Sequence, residues 1–375
     1  MTEQVRTPYI HTCMSPACTR SGRQLAAQAT MAVLILALLL LLVKPSWASS
    51  VHPSGRSRSS QKTSNSLVDY GYFWSRSIYD DNPAFPAGGW PELAKFANHS
   101  TTAIVMNGGP NATAMALADI LAIQKLRARN MTAILGTPGN VLTIAQQSMQ
   151  PGYEQRWAEY WALVKPHSSS VLAFYPFDEP TAAELAHYTT CVKLIRATAA
   201  VDPAGRPIPI AAVVTPSSVQ GIEVGVFELP PEVDWLGFDN YGCWAEEECE
   251  QLGKCCWKNR TMPHNLGVLA AYAKKRGGKV VVVPDAEHNV AYSTGCGTKK
   301  GQPKCACPIA EQQFKASIDQ KYYDWCTAEP SCVAMLPFLW NTVRTSKYEI
   351  IGAVDQHVLL EKLTELGSKI KYREV

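Results

Sequence analysis

Eight short apolar runs recur between residues 67 and 375, each separated from the next by a segment long enough for a helix, and this alternation limits what the chain can fold into. The runs are Val68–Trp74, Ala103–Met106, Thr132–Leu135, Val171–Phe177, Ile208–Val214, Trp235–Phe238, Val280–Val283 and Val333–Trp340. Several are continuously apolar, as strands covered on both faces must be. Between them, Ala112–Arg129, Gln155–Val164, Leu266–Lys275, Ala310–Trp325 and His357–Lys369 place apolar residues at helical spacing. Thr181-Ala-Ala-Glu184 has the form of a capping box and predicts a helix from there to about Ala199. The weakest link is Ser217–Phe227, which contains Gly221 and Gly225. Alternation with right-handed crossovers gives an α/β fold of parallel strands. Eight alternations favour a single (β/α)8 TIM barrel over an open sheet, and the span suits one large barrel. No glycine-rich phosphate loop follows the first run, which argues against a dinucleotide-binding sheet.

The ends of the chain read differently. Arg6, Arg20 and Arg23 precede an apolar run from Met31 to Val43, and Ser46 and Ala48 are the small residues of a cleavage site. That pattern predicts a signal peptide over residues 1–48, hence a secreted protein; an uncleaved signal anchor would make it a type II membrane protein of the secretory pathway. Residues 49–66 are rich in Ser, Arg and Lys and read as a disordered linker, leaving 67–375 as the barrel. Of 12 cysteines, only Cys13 and Cys18 precede the apolar run. Apart from Cys191, the rest cluster at Cys243, Cys249, Cys255 and Cys256, at Cys296, Cys305 and Cys307, and at Cys326 and Cys332. In an exported chain these predict disulfide-rich loops after the sixth and seventh strands, with Cys191 a buried thiol or a long-range partner. Sequons at Asn98, Asn111, Asn130 and Asn259 fit a glycoprotein. A net charge of +3 with no basic stripe speaks against nucleic acid.

In a barrel, the carboxyl ends of the strands line one face, where catalytic groups sit. Here those ends carry acids, amides and aromatics. Trp74 and Arg76 follow the first run, Asn107 the second, and Asp178 and Glu179 the fourth; Asp239, Asn240 and Tyr241 close the sixth, Asp285 and Glu287 follow the seventh, and Trp340 and Asn341 end the eighth. The set suits a carbohydrate: carboxylates for general acid/base chemistry, amides and Asp239 for hydroxyls, aromatic rings for the apolar face of a pyranose. The candidate catalytic residues are therefore Glu179, Glu287, Asp285 and Asp178. The others would bind substrate. Each has a plainer use as well: Asp178 or Glu179 as a helix cap before Pro180, Asp239 and Asp285 as partners of loop backbone, Trp74 and Trp340 as rim packing, His288 as a supporting or surface group.

Phe174-Tyr-Pro-Phe-Asp-Glu-Pro180, Val233-Asp-Trp-Leu-Gly-Phe-Asp-Asn-Tyr241 and Pro337-Phe-Leu-Trp-Asn341 resemble the fourth, sixth and eighth strands of (β/α)8 glycoside hydrolases of the cellulase and β-galactosidase superfamily. The resemblance implies that Glu179 is the acid/base and that a seventh-strand acid, Glu287 with Asp285 as its competitor, is the nucleophile. The chain departs from that pattern in carrying Asp178 where the superfamily usually has Asn, and in placing Glu287 further from its strand end. An Asp-Glu pair after the fourth strand also resembles substrate-assisted hexosaminidases, in which Asp178 would orient an acetamido group and Tyr241 would partner it. Two other classes fit part of the pattern. A metal-dependent barrel lacks a second strand-end His, so no metal or other cofactor is expected; a lectin-like barrel would bind glycan without turnover. The expected partner is a carbohydrate, and the expected state a monomer.

Overall fold

Each of the eight apolar runs carries a strand: β1 Asp69–Tyr70, β2 Thr102–Val105, β3 Thr132–Leu135, β4 Val171–Phe174, β5 Ala211–Val214, β6 Trp235–Asp239, β7 Lys279–Val283 and β8 Cys332–Met335. The computed structural model describes residues 67–72, 93–144, 146–198, 200–202, 204–239, 244, 261–289, 307–338, 340, 343–344 and 349–373, all within the unit Thr63–Val375. The predicted signal segment, the linker, the sequon at Asn259 and the cysteines from Cys243 to Cys305 lie outside these residues. No described helix is long and apolar enough to cross a membrane.

All eight strands are parallel, but their hydrogen bonds form two arcs rather than the one continuous ladder expected of a closed barrel. One runs β1-β8-β7-β6-β5 and the other β2-β3-β4. At the β4–β5 seam the interruption has a chemical cause: Pro176 and Pro209, which have no N–H to give, sit just beyond β4 and just before β5. A bond from Phe174 N–H to the Pro209 carbonyl (2.8 Å) and a parallel bridge between Asp178 and Val213 still hold that seam. The other seam, β1 to β2, is crossed from Thr101 N–H to the Tyr70 carbonyl (2.7 Å) and from Ile104 N–H to the Tyr72 carbonyl (3.1 Å). A Cβ on Gly71 would meet the Thr102 carbonyl oxygen at 2.1 Å, so glycine permits this approach.

Alternation along the strands sorts side chains into two cores. Val280 and Val282 join the large outer core against the helices, while Val281 and Val283 join a smaller inner cluster with Ile104, Ile134, Tyr175, Val213, Trp235 and Val333. Seven strands feed that inner cluster, so both arcs face one interior.

The helices are α1 Leu93–Ala97, α2 Ala112–Arg127, α3 Thr137–Leu142, α4 Tyr153–Val164, α5 Leu185–Ala197, α6 Pro216–Glu223, α7 Met262–Lys275, α8 Ile309–Ala328 and α9 His357–Lys371; all but the short α1 and α3 occupy predicted segments. The weakest predicted link thus contains α6. The capping box is only half made. Glu184 accepts from both the Thr181 N–H (2.9 Å) and its hydroxyl (2.7 Å), but Glu184 N–H bonds the Thr181 carbonyl (3.0 Å), closing a turn. The helix therefore begins at Leu185, three residues later than a box capped by Thr181 would start it. Cys326 and Cys332 form the one disulfide among the described residues, tying the last turn of α8 to β8, and Cys191 is a buried thiol.

One buried polar knot holds the β2–β4 side. Asp119 on α2 accepts from Asn107 Nδ2 (2.6 Å), from the Thr137 hydroxyl on α3 (2.8 Å) and from the Tyr160 hydroxyl on α4. Burial pushes its carboxyl up to about 6 against the pull of these donors. Asp119→Ala would strand three buried donors at about 1–3 kcal/mol each. A loss of about 3–9 kcal/mol in urea unfolding is expected. Because the native carboxyl titrates above the unfolded one, its contribution fades as pH rises through about 6, so the loss should be larger at pH 5 than at pH 8.

Candidate active site

The apolar run after β4 ends on a backbone held away from its preferred shape. Glu179 has φ 46°, in the left-handed region that a side chain with a Cβ rarely enters, and such a residue costs about 1–3 kcal/mol. Neighbouring elements impose the turn. Gln146, itself at φ 61°, takes the Asp178 N–H on its side-chain oxygen (3.0 Å), and α3 packs so closely beneath that a Cβ on Gly139 would lie 2.0 Å from the Pro176 carbonyl oxygen. Of three described non-glycine residues at positive φ, two therefore shape this loop; the third is the turn residue Asn130.

Asp178 is half-buried and accepts a short hydrogen bond from the Tyr175 hydroxyl, which comes up from the inner cluster. Desolvation and the adjacent Glu179 push the Asp178 carboxyl up to about 6, partly offset by Tyr175. Burial, with Asp178 and Asp239 nearby, keeps the Tyr175 hydroxyl protonated far above neutral pH. Asp239 ends β6, pairs in register with Val283 of β7 and is buried. Its charge also acts on Tyr322 of α8.

Beyond β7 the two candidate acids separate by environment. Asp285 bridges to Phe338 beyond β8, accepts the Glu287 N–H (3.0 Å), and meets Lys315 Nζ of α8 at 3.1 Å through Oδ1 and 3.0 Å through Oδ2. Glu287, by contrast, has a buried Oε2 with no hydrogen-bond partner among the described residues. Desolvation first, and Asp285 second, push its carboxyl up to about 7, with Lys315 pulling the other way. Antiparallel pairing of His288–Asn289 with Ile350 and Ile351 fixes the chain immediately after it.

Parallel strands share a direction, so the Asp178-Glu179 turn, Asp239 and the Asp285–Glu287 turn all lie at the same end of the strands. The acids expected from sequence thus share one end of the strands. Two other candidates sit differently from their expected role in holding hydroxyls or stacking on sugar. Asn107 is fully buried with its amide donating to Asp119, and Trp340 is 1 % exposed, packed against Tyr72 and Phe96 at ring separations of 4.7 and 5.1 Å. Trp74, Arg76, Asn240, Tyr241 and Asn341 lie outside the described residues.

Tyr175, Gln146 and Lys315 were not singled out by sequence. Lys315 had a signal: Gln312, Lys315, Asp319, Tyr322 and Cys326 repeat at spacings of three and four, the stripe an amphipathic helix buries, and two of the five are charged. Asp319 is fully buried, with neither carboxylate oxygen partnered among the described residues, and burial and Asp285 hold its carboxyl well above the usual range.

No family model matches this chain, and no curated protein matches it. Solved structures do. A mutant in complex with xylotriose shares 8 % identity over 80 % of this chain and 97 % of its own, with a TM-score of 0.50. The GH113 β-mannanase from Alicyclobacillus acidocaldarius in complex with ManMIm shares 11 % over 81 % and 98 % at TM-score 0.48, and xylanase B from Clostridium stercorarium shares 10 % over 78 % and 97 % at 0.45. At such identities the likeness is one of fold, an α/β architecture remotely similar to that of (β/α)8 glycoside hydrolases.

Proposed function

We propose that the two arcs make up a (β/α)8 barrel and that the protein is a glycoside hydrolase acting on O-glycosidic bonds of an oligo- or polysaccharide. The observation that carries this is the acid set at one end of the parallel strands, with Glu179 held at positive φ after β4 and Glu287 after β7. Glycoside hydrolysis needs two carboxyl groups flanking the bond, one giving a proton to the leaving oxygen and the other attacking or activating water. Glu179 takes the first role. Glu287 takes the second, because Asp285 is spent on Lys315 and on the Glu287 N–H while Glu287 Oε2 is uncommitted among the described residues. The seam bonds and the shared inner cluster support the barrel.

A second reading has one observation in its favour. Asp178 is oriented by the Tyr175 hydroxyl, as a carboxylate that must steer a substrate acetamide would have to be. On this reading N-acetylhexosaminides are substrates, Asp178 and Glu179 form the working pair and Glu287 is dispensable.

The basic n-region and Met31–Val43 run support export, so the enzyme would act on carbohydrate outside the cytosol. The test is turnover of a panel containing xylo-oligosaccharides, manno-oligosaccharides and N-acetylhexosaminides by the full-length protein, its secreted form and Glu179→Gln. Cleavage of any member by the wild type and not by Glu179→Gln supports the proposal. Binding without cleavage across the panel identifies a lectin instead.

A further inference from the structure

Lys315 sits on the outer helix layer yet has its charge committed to the acid turn. Its side chain is 5 % exposed, and its ammonium group meets both oxygens of Asp285 at 3.1 and 3.0 Å, lies 3.5 Å from Glu311 Oε1, and donates to the backbone carbonyl of Glu287. A cation so deeply buried is costly unless it is paired and hydrogen-bonded. Burial does pull its proton affinity down, but Asp285 and Glu311 outweigh that, so Lys315 stays charged.

The charged and titratable groups around Glu287 can be taken element by element. Asp285 comes from the end of β7 and disfavours a second charge beside it; Lys315 comes from α8 and favours it. Glu311, one turn before Lys315, shares that cation. Asp319, one turn after it, has its carboxyl pushed well above the usual range by burial, and burial raises the Tyr322 hydroxyl as well, so both are biased toward the uncharged form.

We propose that Lys315 is a positioning residue for the second acid: it holds the Glu287 backbone by its carbonyl and balances the Asp285 charge beside it. The proposal rests on Glu287 as a member of the acid pair. Without Lys315, Asp285 would stand uncompensated next to Glu287 and move its ionisation upward. Without the Asp285 charge, ionisation would move down. A residue that merely packed α8 against β7 would produce neither shift.

The experiment compares full-length wild type, Lys315→Met, Lys315→Arg and Asp285→Asn by two readouts. One is the pH dependence of kcat/KM on whichever glycoside is cleaved. The other needs no turnover: a carbon-13 NMR titration of the Glu287 carboxyl in glutamate-labelled protein, assigned with Glu287→Gln. Lys315→Met should raise the midpoint by about one pH unit or more, the size expected on removing a nearby opposite charge. Lys315→Arg should stay within a few tenths of wild type, and Asp285→Asn should lower it. An unmoved midpoint in folded Lys315→Met overturns the proposal. Should that variant not fold, Lys315→Arg and Asp285→Asn decide: an unmoved or raised midpoint in Asp285→Asn overturns it. If the titrations shift as expected but wild type cleaves no glycoside, the control of Glu287 by Lys315 stands and the glycosidase reading falls.

Discussion

Glu179→Gln is expected to lower kcat by about 10²–10⁴ on glycosides with a poor leaving group, the range that positioned proton transfer supplies. The amide matches the carboxyl in shape, so the strained turn at φ 46° and its supports from Gln146 and α3 should survive. What disappears is the proton. That loss predicts a graded outcome: an aryl glycoside whose leaving group is already a weak base needs little protonation, so its bond-breaking step should slow far less than that of an alkyl glycoside. Equal loss on both would mean that Glu179 acts on the turn and not as the acid. Thermal unfolding of the variant, expected to match wild type closely, separates a damaged fold from damaged chemistry.

The strand positions were legible from sequence because buried parallel strands must be apolar on both faces, and runs such as Val280–Val283 have no other economical place. Loop-borne acids were legible for a related reason: a carboxylate directly after such a run has to sit at a strand end. Three things resisted. The split into two arcs depends on Pro176 and Pro209 meeting at one seam, a coincidence of residues 33 apart that local pattern does not disclose. The start of α5 turned on whether the Thr181 hydroxyl accepts or donates, which the capping-box pattern leaves open. The third concerns Asn107, whose amide faces a partner 12 residues on. A strand-end amide suits a hydroxyl-binding site, but Asp119 interrupts the buried stripe Ala112, Met115, Asp119, Ala122 and Leu126, and a lone acid there has to find donors nearby. The same logic applied to α8 would have singled out Lys315. Charged residues on apolar stripes are thus a sequence signal for the supporting groups behind a site, as strand-end acids are for the site itself.

Glu287→Ala should be more damaging than Glu179→Gln on activated aryl glycosides, because a good leaving group replaces an acid but nothing replaces an attacking carboxylate. A drop of at least about 10³-fold is expected there, larger than the effect of removing acid assistance from the same substrate. The cavity left by the side chain would admit a small anion such as azide, and partial recovery with formation of the glycosyl azide would identify the lost group as a nucleophile. Wild-type pH dependence provides an independent check. An attacking carboxyl must be ionised, and burial together with Asp285 holds Glu287 up to about 7, so kcat/KM should fall about tenfold per pH unit on the acid side of that value. In Glu287→Ala with azide this acid limb should vanish, since the group that produced it is gone. The substrate-assisted reading makes the opposite forecast. There, N-acetylhexosaminide cleavage would survive Glu287→Ala and collapse in Asp178→Asn, and the acid limb would lie near 6, where the Asp178 carboxyl ionises.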